Sequence, residues 1–81
     1  MSLKMFSKKG CPYCLKARQL LKQYNIKYSE IELDPNSNNY TQQRNKLFSF
    51  SNQYTFPIIY NGEKLIGGYS ELSSQLLYNF L

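Results

Sequence analysis

Hydrophobic patterning predicts an α/β chain running β-α-β-α-β-β-α, and three observations carry that prediction. A short apolar run, Leu3 to Phe6, gives way through Gly10-Cys11-Pro12-Tyr13-Cys14 to a helical pattern. A second alternating run, Lys27 to Leu33, follows that helix, and the right-handed crossover rule makes the two strands parallel neighbours. Finally, Asn61-Gly62 separates Ile58-Ile59-Tyr60 from Lys64-Leu65-Ile66, the strongest short-range signal for an antiparallel hairpin.

Taken in order, Leu3 to Phe6 is a strand and Ser7-Lys8-Lys9-Gly10 the loop behind it. From Pro12 the apolar positions Tyr13, Ala17, Leu20, Leu21 and Tyr24 lie on one face of a helix, with Lys16, Arg18 and Lys22 on the solvated side. Asn25 suits the left-handed conformation that stops a helix. Lys27 to Leu33 has the period of a half-buried strand, and Asp34-Pro35-Asn36-Ser37-Asn38-Asn39 is a turn-rich connection. Tyr40 to Phe48 reads as a polar second helix with Tyr40, Leu47 and Phe48 inward, followed by an irregular loop from Ser49 to Phe56. After the hairpin, Gly67-Gly68 breaks the strand and Ser70 is the expected N-cap of a last helix. Leu72, Leu76, Leu77 and Phe80 form its inner face.

Composition bounds the function. The 81 residues are expected to form one domain, residues 1–81, with a modest core. No secretory apolar region precedes the cysteines, and no run approaches the ~20 residues needed to span a membrane. Both cysteines sit in one motif, which points to a reducing compartment, the cytoplasm, rather than to a disulfide-stapled secreted scaffold. Ten Lys and Arg against five Asp and Glu leave a net charge of +5, which favours anionic partners. The thirteen Phe and Tyr are scattered and accompany no basic run, which argues against nucleic acid.

The chemistry centres on Cys11 and Cys14. With Cys11 as N-cap, Pro12 falls at the first helical position, where its missing N–H costs nothing. The sulfur then faces the unpaired N–H groups and the positive end of the helix dipole, a setting that favours a thiolate. A structural zinc site needs four ligands, and the chain has two cysteines and no histidine. A structural disulfide over so short a loop removes little chain entropy. The pair therefore reads as a redox site.

Cys-Pro-Tyr-Cys after a first strand, Thr55-Phe56-Pro57 before a hairpin, and Gly67-Gly68-Tyr69-Ser70-Glu71-Leu72 opening the last helix together resemble a dithiol glutaredoxin. The resemblance runs through essentially the whole chain. It implies a minimal thioredoxin-like fold: a four-stranded mixed sheet, first two strands parallel, hairpin strands antiparallel, helices on both faces. It further implies that Cys11 is the nucleophile and Cys14 the resolving thiol. Lys8 matches a basic residue that holds the thiolate and glutathione, and Tyr13 an aromatic bordering the glutathione groove. Arg44 falls where the family places a partner for glutathione's glycine carboxylate. A cis Pro57 would turn the Phe56 backbone, next to Thr55, toward the ligand like an added strand. Gly68, Tyr69 and Ser70 would receive the γ-glutamyl end at a helix N-terminus. Two positions depart from the family: Phe56 replaces the usual Val, and Ser70 the usual acidic residue, with Glu71 next to it.

The resemblance implies a glutathione-dependent oxidoreductase of cell redox homeostasis, reducing protein–glutathione mixed disulfides and protein disulfides. Glutathione is the expected co-substrate, reduced in turn by glutathione reductase. A monomer without metal, nucleic acid or membrane contact is expected. Two alternatives are a thioredoxin-like reductase fed by a flavoenzyme and a glutathione-ligated iron–sulfur carrier. Lys8, Arg44 and Gly67-Gly68 argue against the first, and Pro12 against the second.

Overall fold

The computed structural model describes residues 2–78, with β1 (Leu3–Lys8), α1 (Pro12–Gln23), β2 (Tyr28–Leu33), α2 (Tyr40–Ser51), β3 (Ile58–Asn61), β4 (Lys64–Gly67) and α3 (Tyr69–Leu77). The strands form one sheet in the order β2-β1-β3-β4. β1 runs parallel to β2 from Leu3↔Tyr28 to Lys8↔Leu33, while β3 is antiparallel to both β1 and β4. The predicted order and mixed four-stranded sheet are therefore present. β1 is longer than the apolar run suggested, because Ser7 and Lys8 continue the ladder opposite Glu32 and Leu33.

Strand alternation sorts the side chains between two faces. On one face Leu3, Met5, Ile59 and Ile66 pack with Ala17 and Leu21 of α1 and with Leu72 and Leu76 of α3. On the other, Leu33, Phe56 and Ile58 pack with Cys14 and with the half-buried Phe6, Tyr40, Leu47, Phe48 and Tyr60.

In α1 the buried stripe is Cys14, Ala17 and Leu21, spaced three and four apart. Tyr13 and Tyr24, expected on the inner face, are exposed. Cys14 is drawn inward by its packing with Leu33, Phe56 and Ile58, which turns Tyr13 to the surface. Asn25 takes the expected left-handed conformation at φ 56, and the Ile26 N–H closes onto the Leu21 carbonyl at 2.9 Å.

α2 runs three residues beyond Phe48, into the stretch expected to be a loop. Its end is fixed by the buried Ser51, whose hydroxyl donates to the Leu47 carbonyl at 2.7 Å and accepts from the Gln53 N–H at 3.1 Å. Asn52 then leaves the helix at φ 58. The hairpin turn is Gly62-Glu63, one residue later than Asn61-Gly62, since Asn61 pairs with Lys64. Gly62 supplies the positive φ, 60, that the first turn position requires.

The cap of α3 is Gly68, not Ser70. The Glu71 carboxylate reaches back to accept the Gly68 N–H at 2.7 Å, so the chain is already helical at Ser70. Leu72 and Leu76 point inward as expected, but Leu77, about 100° further round the helix, is exposed. Phe80 lies outside the described residues. Among the described residues no helix is long and apolar enough to cross a membrane.

Candidate active site

The site forms where β1 ends and α1 begins. The Lys8 carbonyl accepts the Cys11 N–H at 3.2 Å, and Gly10 at φ 77 reverses the chain between them. Cys11 then caps α1 with an extended backbone (φ −90, ψ 113), followed by Pro12 at the first helical position. Its Sγ accepts the Cys14 N–H at 3.2 Å, so the sulfur sits at the unpaired end of the helix as predicted. On its other side the thiol lies 3.7 Å from the Phe56 carbonyl, to which its S–H donates. Both cysteines are free thiols, Cys11 half-buried and Cys14 fully buried.

That difference in burial separates the two sulfurs chemically. The Cys14 pKa is pushed up to about 12, first by burial and next by its hydrogen bond to Cys11, with the charge of Cys11 acting in the same direction. The Lys8 backbone and the Arg18 charge pull the other way. A thiol so placed keeps its proton at neutral pH.

Phe56-Pro57 is cis, as expected, and Phe56 and Pro57 are buried beside the cysteines. Thr55 is exposed at the rim. Across the site, Gly67 has φ 127, and a Cβ there would lie 2.7 Å from the Glu71 side chain, so only glycine fits between β4 and the cap of α3. An added Cβ on Gly68 would come within 3.5 Å of the Pro57 carbonyl, which brings the start of α3 against the cis-proline turn. The Tyr69 ring rests against that of Tyr13 at 6.0 Å, and Lys16 Nζ lies 4.9 Å over the Tyr13 ring. Ser70 is exposed on the first turn of α3.

Arg44 approaches from α2. Its guanidinium lies 5.7 Å from the Tyr40 ring and 5.9 Å from the Phe48 ring, and it donates to the Asn45 side-chain oxygen at 3.0 Å. Phe48 in turn meets Phe56 at 5.4 Å. Of the predicted residues, Phe56 meets the Cys11 thiol through its carbonyl, Arg44 connects to Phe56 through Phe48, and Tyr13 and Tyr69 pair with each other at the starts of α1 and α3. Lys8 enters by its backbone, with a half-buried side chain. Among the described residues no group of three or more Cys, His, Asp or Glu gathers to hold a metal ion.

Sequence reasoning missed one part of the site. Arg18, expected on the solvated side of α1, is partly buried in an ion-pair network one helical turn beyond Cys14. Its Nε donates to both Glu30 carboxylate oxygens at 3.0 Å, and another of its nitrogens reaches Glu30 at 2.7 Å and Glu32 at 3.1 Å. The buried Ser7 hydroxyl donates to the same Glu30 carboxylate. Arg18 holds the Glu30 carboxyl below its usual range. The signal was present in the four-residue spacing from Cys14 to Arg18, together with an acidic residue, Glu30, on the face of β2 that carries Tyr28.

A glutaredoxin family profile matches residues 3–66. A glutaredoxin of Vernicia fordii is 42% identical over 67 residues, covering 83% of this chain and 64% of that protein. Glutaredoxin-C2 of Arabidopsis thaliana is 37% identical over 67 residues, covering 83% and 60% respectively. The chain therefore spans somewhat less than two thirds of the length of these relatives. Among solved structures, a buckwheat glutaredoxin–glutathione complex superposes with a TM-score of 0.86 at 29% identity, over 98% of this chain and 71% of that one. The capped thiol with its buried partner, the cis-proline turn and the glycine pair before α3 all lie on a fold matched at that level, and the chain belongs to the glutaredoxin family.

Proposed function

We propose that the chain is a dithiol, Cys-Pro-Tyr-Cys-type glutaredoxin: a glutathione-dependent thiol–disulfide oxidoreductase of the cytoplasm, acting as a monomer without a resident metal. The observation that carries this reading is the asymmetry of the two sulfurs. Cys11 Sγ is half-exposed at a helix N-terminus with the Cys14 N–H at 3.2 Å, while the Cys14 thiol is buried and pushed up to about 12.

In the proposed reaction Cys11 thiolate attacks the glutathione sulfur of a protein–glutathione mixed disulfide. The S–S bond breaks, the protein thiolate leaves and takes a proton, and Cys11 keeps glutathione. A second glutathione thiolate then attacks that glutathione sulfur, releasing oxidised glutathione and Cys11 thiolate, and glutathione reductase restores the pool. With a protein disulfide, Cys11 forms the mixed disulfide and Cys14, losing its proton, attacks Cys11 Sγ. The protein leaves reduced and Cys11–Cys14 oxidised.

Glutathione would lie along the rim. Phe56 N–H and C=O pair with its cysteine backbone, held by Thr55 and Pro57. The N–H groups of Tyr69 and Ser70, exposed by Gly68, take the γ-glutamyl carboxylate. Arg44 takes the glycine carboxylate with a guanidinium already steadied between two rings. Lys8 adds positive charge, and Tyr13 closes the groove. Because Glu71 already binds the Gly68 N–H, it faces the γ-glutamyl ammonium only in part.

The test is a coupled assay with glutathione, glutathione reductase and NADPH. Cys11→Ser should abolish turnover of both substrate types. Cys14→Ser should retain reduction of glutathione mixed disulfides and lose reduction of protein disulfides. Equal loss of both activities in Cys14→Ser overturns the assignment.

A further inference from the structure

The aromatic rim does not stop at Phe56. Phe48 stacks on Phe56 at 5.4 Å, and Tyr54 meets Phe48 edge-on at 5.9 Å while leaving 69% of its own surface exposed. A chain of ring contacts therefore leads from the Cys11 thiol, 3.7 Å from the Phe56 carbonyl, out to an open tyrosine. Charge at this edge is one-sided. The Arg44 guanidinium sits against Phe48, and four of the five carboxylates are bound elsewhere: Glu30 and Glu32 by Arg18, Asp34 by Lys9, and Glu71 by its own helix cap. The fifth, Glu63, is in the hairpin turn, next in sequence to Lys64.

We propose that Tyr54, backed by Phe48, is a docking surface for the protein whose disulfide is reduced. It takes a segment carrying an aromatic side chain and a carboxylate within a few residues of the target cysteine. The inference rests on the dithiol reading above and names the substrate class of its protein-disulfide route. A flat ring seats edge-on or offset against Tyr54, and the nearby carboxylate meets the positive potential of a chain with net charge +5. Tyr54 is not among the residues proposed to hold glutathione, so the surface sorts protein substrates and leaves the exchange chemistry alone. The electron balance is unchanged: two electrons pass from the Cys11–Cys14 dithiol to the docked disulfide, leaving the peptide as two thiols and Cys11–Cys14 as a disulfide.

Two arms test this on the full chain. The first compares three disulfide-bridged peptides of one sequence: Phe and Glu beside the cysteine, Ala in place of that Phe, and Gln in place of that Glu. The first peptide should show a kcat/KM about fivefold above the Ala peptide, as one aromatic contact provides, with the Gln peptide between them. Tyr54→Ala should erase the aromatic preference and Tyr54→Phe should keep it. Both should turn over the mixed disulfide of glutathione with β-mercaptoethanol at the wild-type rate. The second arm titrates the Cys11→Ser chain with the same peptides in reduced, alkylated form and follows Tyr54 and Phe48 side-chain resonances. Saturable shifts for the Phe-Glu peptide that Tyr54→Ala removes support the surface. Equal binding of the Phe and Ala peptides, or a preference that survives Tyr54→Ala, overturns it. Loss of β-mercaptoethanol–glutathione turnover in the wild type would instead overturn the proposed function, while the binding arm still decides the docking surface.

Discussion

The two faces of the sheet are built differently. Against α1 and α3, eight residues from five elements interlock with nearly no solvent contact, Met5, Ala17, Leu21, Ile59 and Leu72 being fully buried. Against α2 the packing is partial: the only buried residue of that helix is Ser51, and Tyr40, Leu47 and Phe48 are half-exposed. An open groove of about 900 Å³ remains between α2 and the sheet, lined by Phe6, Ile31, Leu33, Leu47 and Tyr60 among others. Cys11 sits at the junction of the two faces, capping the well-packed helix but lying against Phe56 of the loosely covered side. The difference teaches a division of labour. One face holds the helix that Cys11 caps in place, and the other leaves side chains half-exposed beside it.

The sharpest way to break that comparison is to truncate one leucine on each face. Leu21→Ala, on the α1 side, should cost ~3 kcal/mol and lower the melting temperature by about 15 °C. Leu47→Ala, on the α2 side, should cost less than half of that, because its side chain is already half in water. Thermal melts followed by circular dichroism read both, and equal losses would mean that α2 is as integral to the core as α1.

A second test uses pH. Arg18 lowers the folded-state pKa of Glu30, so the pair contributes stability above the unfolded carboxylate value of ~4.3, and that contribution is lost as pH falls through the lowered folded value. The melting temperature should accordingly drop from pH 6 to pH 3. Glu30→Gln should start lower at pH 6 and fall less on acidification. An acid profile identical to that of the wild type would remove the network from the account of the α1 face.

The smallest structural effect is expected at Arg44. Arg44→Ala should shift the melting temperature by less than ~3 °C, since a surface change away from the core stays within about 0.5 kcal/mol. The glutathione concentration at half-saturation should nonetheless rise several-fold. A large melting shift with unchanged glutathione dependence would make Arg44 a packing residue of α2.

The comparison of faces also explains what could be read from sequence. The element order was legible because punctuation marks three of its boundaries: Pro12 at a helix start, Asn25 at a helix stop, Gly62 in the hairpin turn. The position of the Cys11 sulfur was legible because a cap is a local feature. Tertiary choices were not. Tyr13 and Tyr24 have helical spacing with Ala17, yet the sheet selects the stripe through Cys14 instead. Arg18 looks like any surface cation until β2 brings Glu30 within 2.7 Å. Ser70 has the chemistry of an N-cap, but the Gly67 conformation at φ 127 and the reach of Glu71 start the helix earlier. Polar α2 gave little periodic signal, and its true end depends on the Ser51 hydroxyl bonds.

The buried position of Cys14 has a consequence for timing. Two of the influences that raise its pKa come from Cys11, a hydrogen bond and a like charge, while the largest comes from burial. In the proposed reaction, capture of Cys11 in a mixed disulfide would take away both of those influences and leave burial as the one that still raises the Cys14 thiol. The proposed nucleophile would thus restrain its proposed partner while free, and the adduct would release it.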